Sequence, residues 1–417
     1  PEAEQANFHA RIKIRTPVAD LGGTLLSHRF RAACPRAFAK RGKYGYYSVF
    51  TFVKRRVIII KEVKGQSPLT AEGIMQTLLT EGDLLDNNGK LIQAGYSTYL
   101  AKKYDRSRIN ASKFRIKEWD YYAITDGEVF LCLTIADIGY ISMASVSLVD
   151  THSRAFKTQS AIGLLPLGKT GFPSTYERGD VSLRIGGKKL SFVNDGIYRR
   201  LYCEYPKFRD GKTLVADITL SQPQAENMVI ATPFKENDKA FYYNAKLNCM
   251  TASGYFELGG ARRDFDPAKS LAVLDWGRGV WTYENTWYWS SLSAYVDGEK
   301  FGFNLGYGFG DTSAASENML FYKGKMHKLG RVEFDIPSLP GGESDFEGEW
   351  KMTDDEGRLD LTFRPDVDRH DGISLGVLCT RQHQVFGGFY GTAKLDDGSI
   401  ITLNGQRGFA EKVYNKW

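Results

Sequence analysis

The sequence predicts an all-β protein: two antiparallel β-barrel or sandwich units preceded by a basic N-terminal arm. Three observations carry this. Apolar and polar residues alternate with period two over most of the chain after Leu84. Turn pairs of the Asp-Gly type recur between these runs, as hairpin connections require. The composition supplies the material, with 43 glycines and 13% aromatic residues.

Residues 1–75 hold 14 Lys and Arg against 5 Asp and Glu, whereas residues 76–417 hold 41 against 44. The whole positive excess therefore lies in the first fifth of the chain. That segment has little apolar periodicity, so it is expected to be an arm with no core of its own. A short basic helix is expected after Pro35 and a strand over Val57 to Val63. Such an arm reads as a docking segment for a protein, an anionic membrane or a nucleic acid, whose charges would attract it in a salt-sensitive way. No RNP-type or helix-turn-helix signature accompanies it, and no apolar run approaches the ~20 residues of a membrane-spanning helix.

The first hairpin is read over Ile116 to Ala123, Asp126-Gly127 and Val129 to Ile138. Further hairpins follow at Lys189 to Val193 with Ile197 to Tyr202, at Thr286 to Val296 with Glu299 to Gly308, at Trp350 to Thr353 with Arg358 to Phe363, and at Phe386 to Leu395 with Ser399 to Leu403. Roughly 340 residues exceed one small barrel. The division is set at 1–79 for the arm, 80–230 for the first unit and 231–417 for the second.

A two-residue turn at Asp126-Gly127 puts Glu118, Asp120 and Tyr122 on one face, opposite Ile135, Leu133 and Leu131. Carboxylates facing apolar neighbours are costly unless paired, and desolvation raises their pKa. Glu118 and Asp120 are thus candidate general acids, with structural ion pairing as the alternative. Four of the seven tryptophans fall between Asp275 and Trp289. Trp281, Tyr283, Trp287 and Trp289 are candidate ligand-binding residues, together with Tyr122 and Arg278. Trp289 and Trp287 are expected opposite Gly306 and Gly308, as core packing or as a flat pocket wall. Asp275 and Arg278 are expected to bridge a tight turn at Gly277, or Arg278 to neutralise Glu118 or Asp120.

The glycines at 302, 306, 308 and 310 precede no helix and so form no phosphate loop. His383 is a candidate base, though a lone strand histidine is more often structural. The five cysteines are scattered and the six histidines dispersed, which indicates neither a metal site nor a disulfide framework. No metal and no cofactor is expected. Reduced thiols fit an intracellular, organellar (mitochondrion or plastid) or membrane-associated setting.

The block Lys113-Phe114-Arg115-Ile116-Lys117-Glu118-Trp119-Asp120-Tyr121-Tyr122 stands with Asp83-Leu84-Leu85-Asp86 and Ala136-Asp137-Ile138-Gly139-Tyr140. With the aromatic run around Trp281 and the ending Phe386 to Gly391 through Gly408 to Lys412, it resembles the DUF2804 family over about residues 80–417. Asp275-Trp276-Gly277 with the later Trp287-Tyr288-Trp289 is similar, more distantly, to two-domain lipocalin-like proteins such as tocopherol cyclases and CrtC-type carotenoid hydratases. That resemblance implies a hydrophobic small-molecule site for a lipid or isoprenoid. Two function classes follow: a carrier or accessory subunit docked through its arm, or a cofactor-independent cyclase, hydratase or isomerase that uses a buried carboxylate.

Overall fold

The computed structural model describes residues 50–53, 56–59, 76–221, 225–375 and 378–416. The expected helix after Pro35 lies outside the described residues. Within the first 70 residues, Phe50–Val53 pairs with Arg56–Ile59 as a two-stranded antiparallel ribbon.

The remainder, from residue 71 onward, is one compact unit built from two large antiparallel sheets. Its only described helical turn is the short 3-10 segment Arg106–Arg108. Among the described residues no helix is long and apolar enough to cross a membrane.

The first sheet has thirteen strands. Its main path runs from Val181–Ile185 through Lys188–Asn194, Tyr198–Arg209 and Lys212–Ser221 to the 22-residue strand Asn237–Leu258. It continues through Leu271–Val280, Ile116–Thr125, Val129–Asp137 and Ile141–Asp150 to Ala155–Leu164. The sheet curls until its ends meet. Gln159, on the last strand, donates to the carbonyls of Lys207 and Phe208 at 2.8 and 3.0 Å. A Cβ on Gly163 would lie 3.4 Å from Ile185. The long strand bends between Leu247 and Met250, where the register shifts and Cys249 takes φ +60°.

The second sheet has nine strands, from Lys325–Lys328 through Met319–Tyr322, Glu299–Tyr307, Glu284–Val296, Ile400–Lys416, Leu378–Lys394, Leu359–Leu375 and Trp350–Asp354 to Val332–Asp335. It curls as well: the Phe334 N–H donates to the Tyr307 hydroxyl at 3.3 Å, and Arg358 donates to the Lys328 carbonyl at 2.7 Å. Two curled antiparallel β units are therefore present, each with its own apolar interior.

Two expectations need correction. In chain order the last strand of the first sheet is Leu271–Val280 and the second sheet begins at Glu284, so the sheets part at 281–283 rather than at 230. The first hairpin pairs Thr125 with Phe130, which leaves four residues in the loop instead of two. Glu118 accordingly faces Asp137, and Asp120 and Tyr122 face Ile135 and Leu133. The slip is two residues, so each side chain keeps its face.

Strands Ile116–Thr125 and Leu271–Val280 lie side by side in the middle of the first sheet and are buried on both faces. One face looks into the first unit. The other packs on the second sheet through a separate apolar cluster that includes Tyr121, Phe130, Val273, Trp289, Phe386 and Phe409.

Candidate functional site

Alternation along these central strands divides the sequence-predicted residues. Glu118, Asp120, Tyr122 and Arg278 all point into the first unit. Arg278, with no exposed surface, donates to Asp120 Oδ1 at 3.0 Å and to the carbonyls of Trp119 and Gly277. Glu118 pairs with Arg106 and accepts from the Tyr104 hydroxyl at 2.9 Å. Arg199 donates to the Tyr122 hydroxyl at 3.2 Å. Burial raises the pKa of both carboxylates, while Arg278 pulls the other way. Both are buried and both meet arginines, the pairing that desolvation demands. Asp275 and Arg278 do not bridge a turn: the strand runs straight through Gly277, and the two side chains leave on opposite faces.

The opposite face opens on a cavity of about 610 Å³ between the two sheets. Trp281, Trp287 and Trp289 line it. Trp119 and Tyr121, the odd-numbered neighbours of the predicted acids, line it too. Tyr283 stays 43% exposed outside it. His383 is held by Asp368 at 2.8 Å and stacks on Phe346, a structural setting beside the cavity.

Two cross-strand rows build the cavity. On the first sheet, Lys246, Asp275, Tyr121, Thr134, Ser145 and Ser160 are direct partners in consecutive strands. On the second sheet the row is Gly306, Trp289, Glu411, Gln384 and Arg369. Contacts between the two sheets fix the spacing of the rows. The Tyr121 hydroxyl donates to Gln384 Oε1 at 3.2 Å, Arg369 donates to Ser147 Oγ at 2.7 Å, and Lys246 Nζ sits 3.7 Å over the Trp289 ring.

Each buried charged group in this array has at least one hydrogen-bond partner. Asp275 Oδ1 pairs with Lys246 at 2.9 Å and accepts from Asn244 at 2.6 Å, while Oδ2 accepts from Trp119 Nε1 at 3.0 Å. Glu411 accepts from Trp287 Nε1 at 2.8 Å and from Gln384 Nε2 at 2.9 Å. Trp289 Nε1 donates to Asn304 at 2.7 Å, and Asn304 in turn donates to Glu317 Oε2 at 3.2 Å. Glu317 reaches the cavity over Gly306, where a Cβ would stand 2.6 Å from its Oε1. Its carboxyl keeps some surface because it faces the cavity, yet protein encloses it. Burial raises the pKa of Glu317 and Glu411, and their hydrogen bonds and the Lys246 charge moderate the rise.

The rings form a continuous wall. Trp281 meets Trp119, Trp287 and Phe309 edge to face, with centroids 5.2, 5.8 and 4.8 Å apart, and Trp119 stacks on Tyr242. Chemically, the site offers π-faces, two protonatable carboxyls and a ladder of hydroxyl groups.

Sequence reasoning missed Trp119, Tyr121, Lys246, Glu317, Arg369, Gln384 and Glu411. The available signal was polar residues inside apolar strands, such as Lys246 within Phe241 to Met250.

Among solved structures, the chain is similar to kievitone hydratase from Nectria haematococca at 14% identity, over 78% of this chain and 99% of that one, with a TM-score of 0.46. It is similar to CghA, crystallised with Sch210972, at 11% identity, over 81% of this chain and 97% of that one, with a TM-score of 0.47. No curated protein matches. The family described as "Domain of unknown function (DUF2804)" matches residues 75–417, and the chain belongs to that family.

Proposed function

We propose that the protein binds a small apolar molecule, a lipid or an isoprenoid-like compound, in the cavity between its two β units. The observation that carries this reading is a cavity of about 610 Å³ walled by four tryptophans and edged by two ordered polar rows. Such a volume, with aromatic faces and convergent polar groups together, is that of a small-ligand site. The protein acts in this reading as a carrier or accessory subunit. Residues 1–75, with 14 basic against 5 acidic side chains, supply the docking arm toward a protein, an anionic membrane or a nucleic acid. The test is native mass spectrometry of the purified protein with extraction of bound lipid. A stoichiometric apolar molecule is expected, and Ser160→Trp at the cavity rim should exclude it. A protein that carries no such molecule and takes up no apolar probe would sink the reading.

Glu317 and Glu411 support a second reading, a cofactor-independent cyclase, hydratase or isomerase. Both carboxyls are enclosed, both have raised pKa values, and no donor among the described residues hydrogen-bonds Glu317 Oε1. A protonated Glu317 would pass its proton to one alkene carbon, and the positive charge would form on the neighbouring carbon beside the indole faces. Attack by water or an internal nucleophile, with loss of a proton to the carboxylate, returns the acid. In this reading the acids are Glu317 and Glu411 instead of Glu118 and Asp120, whose oxygens are held by Arg106, Tyr104 and Arg278. Turnover of the extracted compound by the native protein, abolished in Glu317→Gln, would separate enzyme from carrier.

A further inference from the structure

The cavity interior holds more acid than base within its direct contacts. Lys246 is committed twice, to Asp275 at 2.9 Å and to the face of Trp289 at 3.7 Å. Arg369 is committed to Ser147 Oγ at 2.7 Å and Gln384 Oε1 at 2.5 Å. Lys328 stands behind the loop that carries Glu317, and its ammonium donates to Ser316 Oγ and to the carbonyls of Asn318 and Leu329. Glu317 and Glu411 are left with neutral donors: the Asn304 amide for one, and the Trp287 indole with the Gln384 amide for the other.

The two carboxyls flank Trp289. In the cross-strand row, Glu411 is its partner on one side and Gly306, the residue Glu317 lies over, is its partner on the other. Beyond them stands the indole wall of Trp119, Trp281 and Trp287. Aromatic faces attract a cation through the ring quadrupole, by roughly 0.5–2 kcal/mol per contact as solvent is excluded. Asp275, Glu317 and Glu411 outnumber Lys246 and Arg369 among the interior lining residues, and this excess of acid adds the long-range term, which the low-polarity wall strengthens. The protein already satisfies these demands once with its own side chain, since the Lys246 ammonium rests on an indole face beside a carboxylate.

We propose that the cavity selects a ligand that carries positive charge on an apolar skeleton, with an organic ammonium as its stable form. The cation sits against the indoles of Trp119, Trp281 and Trp287, and Glu317 and Glu411 balance its charge. This rests on the cavity being the ligand site. It adds the ligand's charge, which a carrier of neutral lipid would not need. Lys157, His370 and Asp371 at the rim are exposed, so solvent screens them and they do not set the charge preference of the interior.

Three probes of one shape test it by equilibrium dialysis against the full chain at pH 8: naphthylmethyl-trimethylammonium, its uncharged carbon isostere neopentylnaphthalene, and naphthylmethylsulfonate. The ammonium should bind at least tenfold more tightly than the neutral probe, and the sulfonate more weakly than both. The preference of ammonium over neutral should shrink as the pH falls and the carboxylates protonate. Glu317→Gln and Glu411→Gln should each reduce that preference at least threefold. A neutral probe that binds as tightly as the ammonium to the native protein overturns the inference while the cavity reading stands. If none of the three binds, the cavity reading fails and takes the inference with it.

Discussion

Gly277→Ala tests whether the cavity wall is built as described. Gly277 lies mid-strand with no special φ, so alanine meets no backbone obstacle there. The obstacle is Trp119, directly opposite on the next strand: an added Cβ would stand 1.9 Å from Cζ2 and 2.2 Å from Cε2 of its indole. The ring must leave, and it leaves three contacts behind: its hydrogen bond to Asp275 Oδ2, its stack on Tyr242 and its edge contact with Trp281. Overpacking costs ~1–3 kcal/mol, and a hydrogen bond to a charged group is worth ~1.5–3 kcal/mol. Relaxation recovers part of the sum, so a loss of about 2–4 kcal/mol in urea unfolding is expected. In a Trp119→Ala background the same glycine substitution should cost under ~0.5 kcal/mol, because the clash is gone. A single-variant loss below ~0.5 kcal/mol, or equal losses in both backgrounds, would refute this placement of Trp119.

Four other outcomes follow from the same geometry. Lys246→Met should cost ~3–5 kcal/mol in urea unfolding, since it leaves Asp275 buried with neutral donors only, and adding Asp275→Asn should recover much of the loss. Folded Glu411 keeps its proton to higher pH than the unfolded chain, so native stability falls as pH rises from the ordinary Glu range through the raised value; Glu411→Gln should make that fall shallower when urea midpoints are compared between pH 4 and 8. Trp287→Ala would cost ~3–5 kcal/mol at a core site, but Trp287 is half-buried against the cavity, so thermal denaturation should show a smaller loss of about 1–3 kcal/mol. Deleting residues 1–75 should leave the unfolding of the compact unit intact, while partner or membrane association, measured by co-sedimentation, should disappear and in the full chain should weaken steeply with salt.

Much of the architecture was legible because turns and alternation are local. The hairpin joining Glu284–Val296 to Glu299–Tyr307 has the expected register, with Trp289 opposite Gly306. The shared face of Glu118, Asp120 and Tyr122 was legible for the same reason, and it survived a two-residue slip because side-chain direction repeats every two residues. What alternation cannot say is which face of a doubly buried strand meets what. Ile116–Thr125 and Leu271–Val280 are buried on both sides, so the charged face read as a site while the rings of the other face, Trp119 and Tyr121, went unread. The charged face proved to be the filled interior of the first unit, and the ring face proved to be the cavity.

The boundary at 281–283 was hidden by the long strand Asn237–Leu258. A chain that reads as one strand serves several neighbours along its length: Lys212–Ser221 and Ala261–Phe265 toward one end, Met228–Phe234 and Leu271–Val280 toward the other. No local signal marks such a branching, so the weakly patterned stretch near residue 222 looked like a division. The cavity's polar rows were hidden for a related reason. Thr134, Lys246, Asp275 and Glu411 each interrupt a buried strand with a polar side chain, and a polar group there must find a partner or destabilise the fold. That necessity is readable from one strand at a time, but the partner is not. Lys246 meets Asp275 29 residues later in the chain, and Glu411 meets Trp287 across 124 residues. Only the registers of distant strands bring these interruptions into line. A polar residue in a strand buried on both faces is therefore evidence that a site exists, and the sheet order decides which residues complete it.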